Sequence, residues 1–241
     1  MKGGRQDRTL GVDFVLPARS GRTPIPSFCV ESGRWSRRAG EDAASFSSSK
    51  SYLSSKKLRM AAKLSKSQDE VWQKVAETQD ALSASMDKPL YAPASPTSYQ
   101  LSVEDEDLQK RKDTFRTAFA NIIEEKPLAV GYAFVINGEI NTADVYGSRI
   151  LFRKLWSKLL DAAVLESIAE LRRKPETKAN PVTTRTIREW FAEAGANSVS
   201  DRQEVPPRVR VDTRRGKKTV VFDTCDHGFN DAMLHKNLVA N

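Results

Sequence analysis

The sequence predicts an α+β fold, and three observations lead to this class. Strand-like patterns lie near both ends of the chain, in residues 9–30 and 208–223. A hairpin signal lies in the middle, where Asn137 and Gly138 supply the two positive φ values of a type I′ turn. Segments with apolar residues at helical spacing separate these strands. We therefore expect a strand-rich N-terminal segment and a central hairpin packed on three or four helices, with a C-terminal hairpin.

The helices are predicted from capping signals and periodicity. A capping box, Ser67 and Glu70, opens the segment SQDEVWQKVAETQDALS, in which Val71, Val75, Thr78 and Leu82 repeat at helical spacing. A second helix is expected to start near Ser102 and a third, long one at Ser148. A short helix is expected over residues 183–196. We expect the long helix to pack on the central hairpin and to form the centre of the core.

The strands are predicted from period-2 alternation. Val12, Phe14 and Leu16 alternate in the first strand, and residues 23–30 form the next. In the central hairpin, the two-residue turn sets a register in which Val135 faces Ile140 and Val130 faces Val145.

The basic residues are concentrated in the first quarter of the 241-residue chain. Residues 1–66 hold 14 Lys and Arg against 5 Asp and Glu, a net charge of +9, whereas the other residues of this +8 chain sum to −1. Such an asymmetry indicates either an anionic partner or a solvated basic loop. No apolar run reaches the ~18 residues that span a bilayer, and the N-terminus lacks the apolar region of a signal peptide. The chain as written is expected to be cytoplasmic.

Metal, nucleophile and phosphate-loop chemistry receive little support from the sequence. Cys29, Cys225, His227 and His235 are the soft ligands, but no two of them form a short metal-binding clip. Cys29 is more plausible as a small apolar strand residue than as a nucleophile, because no histidine is near it in sequence. No Gly-rich phosphate loop is present, and the sequence identifies no cofactor. Trp35 and Tyr52 lie among the early basic residues, and such aromatic side chains stack on the bases of a single strand. Single-stranded nucleic acid is therefore a second, less favoured candidate partner.

A family resemblance rests on several longer motifs. The segment GGRQDRTLGVDFVLPARSGRTPIPSFCVESGRWSRR is followed by QDEVW, AVGYAFVINGEINTADVYGS and LFRKLWSKLLDA. These motifs resemble the ARG and rhodanese-phosphatase-superfamily-associated protein domain, a poorly characterised bacterial family. The resemblance implies a domain without an established activity, in a setting related to ADP-ribose or nucleotides. It also implies that a strand-rich N-terminal segment of the family is missing here, in which case secretion stays open.

The resemblance also organises the predicted domains. We expect a family-like α+β domain over residues 1–172, with a mobile Ser/Lys-rich loop over residues 39–66. Residues 173–241 are expected to form a C-terminal extension packed on the same domain.

The candidate site consists of charged, polar and aromatic side chains at the ends of two early strands. If these strands are adjacent and antiparallel, the residues before the first meet the residues after the second. The predicted site residues are Arg5, Gln6, Asp7, Arg8, Glu31, Arg34, Trp35 and Trp72. In a structural interpretation, Glu31 pairs with an arginine in a buried network. In a functional one, the arginines form a fork for a phosphate or carboxylate and Trp35 stacks on a ring.

These features favour a non-catalytic accessory domain that binds an anionic or nucleotide-like ligand, or a partner protein. The alternatives are a hydrolase of phosphoester or glycosidic bonds, with Glu31, Asp7 or His227 as the base, and a nucleic-acid-binding module. A membrane is not an expected partner.

Overall fold

The computed structural model describes residues 1–3, 6–34, 36, 40, 42, 44–47, 53, 55–65, 67–172 and 181–241. Its α-helices are Lys56–Met60 (α1), Gln68–Met86 (α2), Tyr99–Val103 (α3), Glu106–Phe119 (α4), Ile122–Glu125 (α5), Arg149–Ala169 (α6) and Thr184–Gly195 (α7). Its strands are Lys2–Gly3 (β1), Arg8–Thr9 (β2), Phe28–Cys29 (β3), Phe46–Ser47 (β4), Gly131–Ile136 (β5), Glu139–Tyr146 (β6), Val199–Val205 (β7), Val209–Arg215 (β8), Thr219–Asp226 (β9) and Ala232–Ala240 (β10). The fold is α+β, as predicted.

The chain divides into two compact units. Unit 1 comprises Met1–Gly11, Ile25–Ile122 and Ser157–Arg173, and unit 2 comprises Val12–Pro24, Ile123–Trp156 and Lys174–Asn241. The predicted boundary at residue 172 separates the central and C-terminal hairpins, whereas the structure joins both in one sheet of unit 2. The reason is β10, a strand absent from our sequence prediction, which pairs with β6 on one side and β9 on the other.

Unit 1 is built around α2, which starts where the capping box predicts. The Ser67 side chain accepts the amide of Glu70, and Val71, Val75 and Leu82 are buried along one face. The second predicted helix is divided in the structure. Ser98 caps the short α3 and Asp105 caps α4, so the start predicted near Ser102 is wrong.

The mobile-loop prediction for residues 39–66 is wrong for its second half. Ser55 caps α1, and a π-helical turn, Ala61–Ser65, follows it directly. Leu58, Ala61 and Ala62 are buried, so this stretch orders itself by packing three apolar side chains despite its Ser/Lys-rich composition. Part of the predicted loop, including residues 48–52, lies outside the described residues.

Unit 2 contains a six-stranded antiparallel sheet in the order β5-β6-β10-β9-β8-β7. Trp190 and Ala194 of α7 pack with Ala143, Val221 and Leu238 of the sheet. The first two turns of α6 pack on the central hairpin as predicted, since the Phe152 ring lies 6.5 Å from the Tyr132 ring and 5.9 Å from the Tyr146 ring.

The central hairpin confirms the turn and corrects the register. Asn137 and Gly138 have φ values of 51° and 80°, and Val135 faces Ile140. An irregularity between Phe134 and Val135 then shifts the pairing, so Val145 faces Gly131 and not Val130. The close approach suits glycine at 131, because a Cβ there would lie 2.3 Å from the Asp144 carbonyl oxygen.

The predicted strand through Val12, Phe14 and Leu16 is not a regular strand in the structure. Among the described residues of the first thirty, strand pairing is confined to two-residue segments, and residues 12–24 have no assigned helix or strand. Alternation alone was a weak signal here, because Pro17, Pro24 and Pro26 cannot donate to a sheet ladder.

Candidate functional site

Two of the short strands of unit 1, β2 and β3, pair with each other, although β2 lies at Arg8–Thr9 and not at the predicted Val12, Phe14 and Leu16. β2 and β3 are antiparallel, with Arg8 opposite Cys29 and Thr9 opposite Phe28. The Val30 amide also donates to the Asp7 carbonyl at 2.9 Å. This pairing brings Gln6 and Asp7, which precede β2, next to Glu31, which follows β3.

Glu31 and Arg34 form a buried ion pair. The side chain of Glu31 is 0% exposed and that of Arg34 is 8% exposed, with Nε of Arg34 2.7 Å from Oε1 of Glu31. The Asp7 amide donates to Oε2 at 3.1 Å, and Nη1 of Arg34 donates to the Ser36 carbonyl at 2.5 Å. Burial alone would raise the pKa of Glu31, but hydrogen bonds from Arg34, Ser95 and the Asp7 amide hold it below its usual value. Glu31 is therefore a satisfied carboxylate.

Asp7 extends this network toward α2 and α3. Oγ of Ser98 donates to Oδ2 of Asp7 at 3.2 Å while accepting the Leu101 amide as the cap of α3. Nε2 of Gln79 donates to the Ser98 carbonyl at 3.4 Å and to Oγ of Ser102 at 2.7 Å. Such a connected buried network fixes the relative positions of the elements that it joins. This buried network matches the structural interpretation, in which Glu31 pairs with an arginine.

Gln68 attaches α2 to β3 as a strand neighbour would. Its Oε1 accepts the Cys29 amide at 2.8 Å, and its Nε2 donates to the Cys29 carbonyl at 2.8 Å. Trp72 lies one turn further along α2, and its Nε1 is buried with no partner among the residues that the structure describes.

Gln6, Arg8 and Cys29 form a second group, which we call the donor face. Sγ of Cys29 donates to Oε1 of Gln6 at 3.0 Å, which leaves Nε2 of Gln6 buried and without a partner in the described part of the chain. Gln6 is 4% exposed, whereas Arg8 is half-buried and donates to Oγ of Ser27 at 3.3 Å. Burial raises the pKa of the Cys29 thiol despite the nearby Arg8 cation, so Cys29 is a neutral group and not a thiolate nucleophile at neutral pH.

The structure thus brings together five of the predicted site residues: Gln6, Asp7, Arg8, Glu31 and Arg34. Arg5 and Trp35 lie outside the described residues, so the predicted fork and ring stack have no geometry for those two positions. Ser98 and Gln79 were not among the predicted site residues. Ser98 carries one usable signal, because a serine before a helix start is a common cap.

Unit 2 holds a separate buried cluster around His235, which no sequence pattern indicated. Nδ1 of His235 lies 2.9 Å from Oδ2 of Asp13, and Nε2 lies 3.0 Å from Oδ1 of Asp144. Nδ2 of Asn237 donates to the same Asp144 oxygen at 2.7 Å, and the Tyr146 ring stacks on the imidazole at 4.4 Å. His227, the base considered from the sequence, instead pairs with Glu204 at 3.2 Å.

Metal ligation has no counterpart in the residues with described positions. Among them, no group of three or more His, Cys, Asp or Glu side chains is arranged to hold an ion. None of the helices in the described ranges is both long and apolar enough to cross a membrane.

The structure defines an α+β domain in which the buried Glu31–Arg34 pair and the donor face both adjoin the paired strands β2 and β3. The chain belongs to the ARPP-1 family, the ARG and Rhodanese-Phosphatase-superfamily-associated Protein domain, whose family model matches residues 1–239. The match includes the strands that we had assigned to a C-terminal extension. No curated protein and no solved structure matches the chain.

Proposed function

We propose that this chain is a non-catalytic domain that binds an anionic ligand on the donor face of Gln6, Arg8 and Cys29. The observation that carries the proposal is the buried Nε2 of Gln6, which has no acceptor among the described residues. Leaving a buried donor unsatisfied costs about 1–3 kcal/mol. A ligand oxygen would satisfy this donor, and the half-buried Arg8, which lies opposite Cys29 in the strand pair, would supply the complementary charge.

The Glu31–Arg34 ion pair is the reason why the proposed ligand is not placed on Arg34, as it was in the predicted arginine fork. Two nitrogens of Arg34 already donate to Glu31 and to the Ser36 carbonyl. A ligand phosphate there would compete with a buried carboxylate 2.7 Å from the guanidinium. Arg8 is the better cation for a ligand, and Glu31–Arg34 supports it by holding the ends of β2 and β3 together.

The same contacts argue against hydrolysis at this place. Oδ2 of Asp7 accepts a hydrogen bond from Oγ of Ser98, and Oε2 of Glu31 accepts one from the Asp7 amide. The pKa of a general acid or base is usually raised toward neutrality. The lowered pKa of Glu31 is the opposite of that requirement.

Which anion binds is a separate question, and the probes are chosen to cover it. The family name motivates ADP-ribose, NAD and mononucleotides as probes, with inorganic phosphate as the simplest anion. Binding of a partner protein, or of nucleic acid by the N-terminal quarter, stays a prediction because Trp35 and Tyr52 lie outside the described residues.

Thermal shift followed by calorimetry with these four probes tests the proposal. Saturation at 100 times the Kd should stabilise the protein by about 2.7 kcal/mol. Arg8→Gln should weaken binding about 10-fold or more, since a hydrogen bond to a charged group is worth about 1.5–3 kcal/mol. Gln6→Glu should abolish binding, because it replaces the donor with a carboxylate of the same shape.

Arg22→Gln is the matched control. Arg22 is an exposed cation of the same basic quarter, and its removal makes the same charge change as Arg8→Gln. If the two variants weaken binding equally, only net charge matters and the donor face is not the site. The absence of a stabilising probe in the whole panel would overturn the proposal outright.

A further inference from the structure

The tip of the β8–β9 hairpin presents cations on a backbone that is held in place. β8 ends at Arg215 and β9 begins at Thr219, and the Gly216 amide donates to the Thr219 carbonyl at 2.8 Å. The Asn241 amide donates to the Lys218 carbonyl at 2.9 Å, and its Nδ2 donates to the carbonyls of Gly216 and Lys217 at 3.2 and 3.1 Å. The carbonyls of Gly216, Lys217 and Lys218 therefore all have partners, which restrains the tip before any ligand arrives.

The position of Gly216 adds to this restraint. A Cβ there would lie 2.3 Å from Nδ2 of Asn197, so the tip packs directly against the segment between α7 and β7. The Asn197 carbonyl in turn accepts Nη1 of Arg214 at 2.7 Å. The tip is thus anchored from two sides.

The tip cations differ in their pairing from five other cations in and next to β7, β8 and β10. The others pair with aspartates at 2.6 to 3.0 Å: Arg202 with Asp212, Arg208 with Asp226, Arg210 with Asp231, and Arg214 and Lys236 with Asp223. By contrast, Arg215 and Lys217 are exposed and have no ion pair within the described residues. Lys218 is 68% exposed and reaches only the half-exposed Glu193, at 3.5 Å.

We propose that this tip, Arg215 to Lys218, binds the phosphate backbone of duplex nucleic acid. Exposed cations on a restrained backbone neutralise phosphates, and β7 and β10 run beside the hairpin up to its tip, so the expected contact is with the phosphate backbone and not inside a groove. An anionic bilayer fits less well, because the next residues, Thr219 and Val220, are buried and leave the tip no apolar group to insert. The surface lies in unit 2 and is independent of the donor face in unit 1.

Fluorescence anisotropy with a labelled B-form duplex, titrated at salt concentrations from about 50 to 200 mM, tests the proposal. Three phosphate contacts contribute about −2.7 to the slope of log K against log salt, or roughly 40-fold over this range. The triple variant Arg215→Gln, Lys217→Gln and Lys218→Gln should lose that part of the slope. The control variant Lys126→Gln, Arg149→Gln and Lys154→Gln removes three exposed cations from the same unit and should keep it.

Acetylation footprinting of the wild-type protein provides a readout that does not depend on the variants folding. Bound duplex should protect Lys217 and Lys218 from acetylation at least several-fold, while Lys126 and Lys154 stay reactive. Equal salt slopes for the two triple variants, or unprotected tip lysines at saturating duplex, would overturn the proposal. Tip-dependent binding to vesicles of anionic lipid, with none to duplex, would overturn it as well.

Discussion

Loss of the positive charge on His235 should make unit 2 less stable as the pH rises. Both ring nitrogens face carboxylate oxygens, Asp13 at 2.9 Å and Asp144 at 3.0 Å, and only the protonated ring can donate to both. Burial alone would lower the pKa of His235, but these two hydrogen bonds raise it from 6.5 to about 9. The imidazolium therefore joins residues 12–24 to β10 in unit 2.

The magnitude follows from linkage between proton binding and folding. The folded-state pKa lies above the unfolded one, so the folded protein binds more protons between these values and its stability falls as the pH rises. One pH unit corresponds to 1.36 kcal/mol, so the interval from 6.5 to about 9 amounts to about 3 kcal/mol. This contribution should be complete below pH 6.5, decline steadily above it, and be lost once the pH exceeds about 9.

Urea unfolding at a series of pH values from 6 to 9.5 measures this effect. Lysine and tyrosine side chains also begin to titrate near the upper end, so the informative quantity is the difference between the wild type and His235→Gln. That difference should be largest at pH 6 and should shrink by about 3 kcal/mol by pH 9.5. His227→Gln is the matched control, because it removes the other histidine from an exposed pair with Glu204.

A direct titration gives the decisive result. Long-range proton–nitrogen NMR of the imidazole should show His235 doubly protonated at pH 7.5. A ring that titrates near 6.5, or a His235→Gln variant with the same pH dependence of unfolding as the wild type, would refute the reasoning. The charged bridge would then be absent, and the two aspartates would need another explanation for their position.

Three further substitutions test the other contacts by urea unfolding and, for the second, by hydrogen exchange. Glu31→Gln should destabilise unit 1 by about 3 kcal/mol, because it leaves Arg34 buried without its counterion. Since the pKa of Glu31 is lowered in the folded protein, this penalty should diminish as the medium is acidified below the carboxyl range. An unchanged stability would show that the pair is dispensable. Gln68→Ala should lower the stability of unit 1 by about 2 kcal/mol and speed hydrogen exchange of the Cys29 amide, because it removes two hydrogen bonds of about 1 kcal/mol each. An unchanged exchange rate would contradict the role of Gln68 as a strand neighbour. Gly147→Ala should destabilise unit 2 by at least 1 kcal/mol, because the new Cβ would lie 1.8 Å from a backbone carbonyl oxygen of β10, and wild-type stability would mean that β10 yields easily.

The elements that the sequence predicted well are those whose signals are local. The cap at Ser67 and the apolar spacing behind it define α2, and the turn at Asn137 and Gly138 defines the central hairpin. The register of that hairpin was wrong at its open end, since an irregularity between Phe134 and Val135 leaves no mark in the sequence. β10 was missed for the opposite reason. Its alternation is obscured because the polar residues His235 and Asn237 are buried together with Leu238 and Val239, and its place in the sheet depends on pairing with β6 and β9.

The candidate site shows the same division between local and distant information. The pairing of β2 with β3 could be anticipated from two nearby strand segments, whereas the contact of Asp7 with Ser98 spans 91 positions and that of His235 with Asp13 spans 222. A sequence reveals which side chains are costly to bury, but it does not reveal which of them already have partners. Arg34 and Arg8 look equally suited to an anion when read as letters. In the structure, Arg34 donates to a fully buried carboxylate. Arg8 instead lies opposite Cys29, whose thiol donates to Gln6, and Nε2 of Gln6 lacks an acceptor among the described residues. The choice between them depends on hydrogen-bond geometry, and it is this geometry that moves the proposed ligand from the Glu31–Arg34 pair to the donor face.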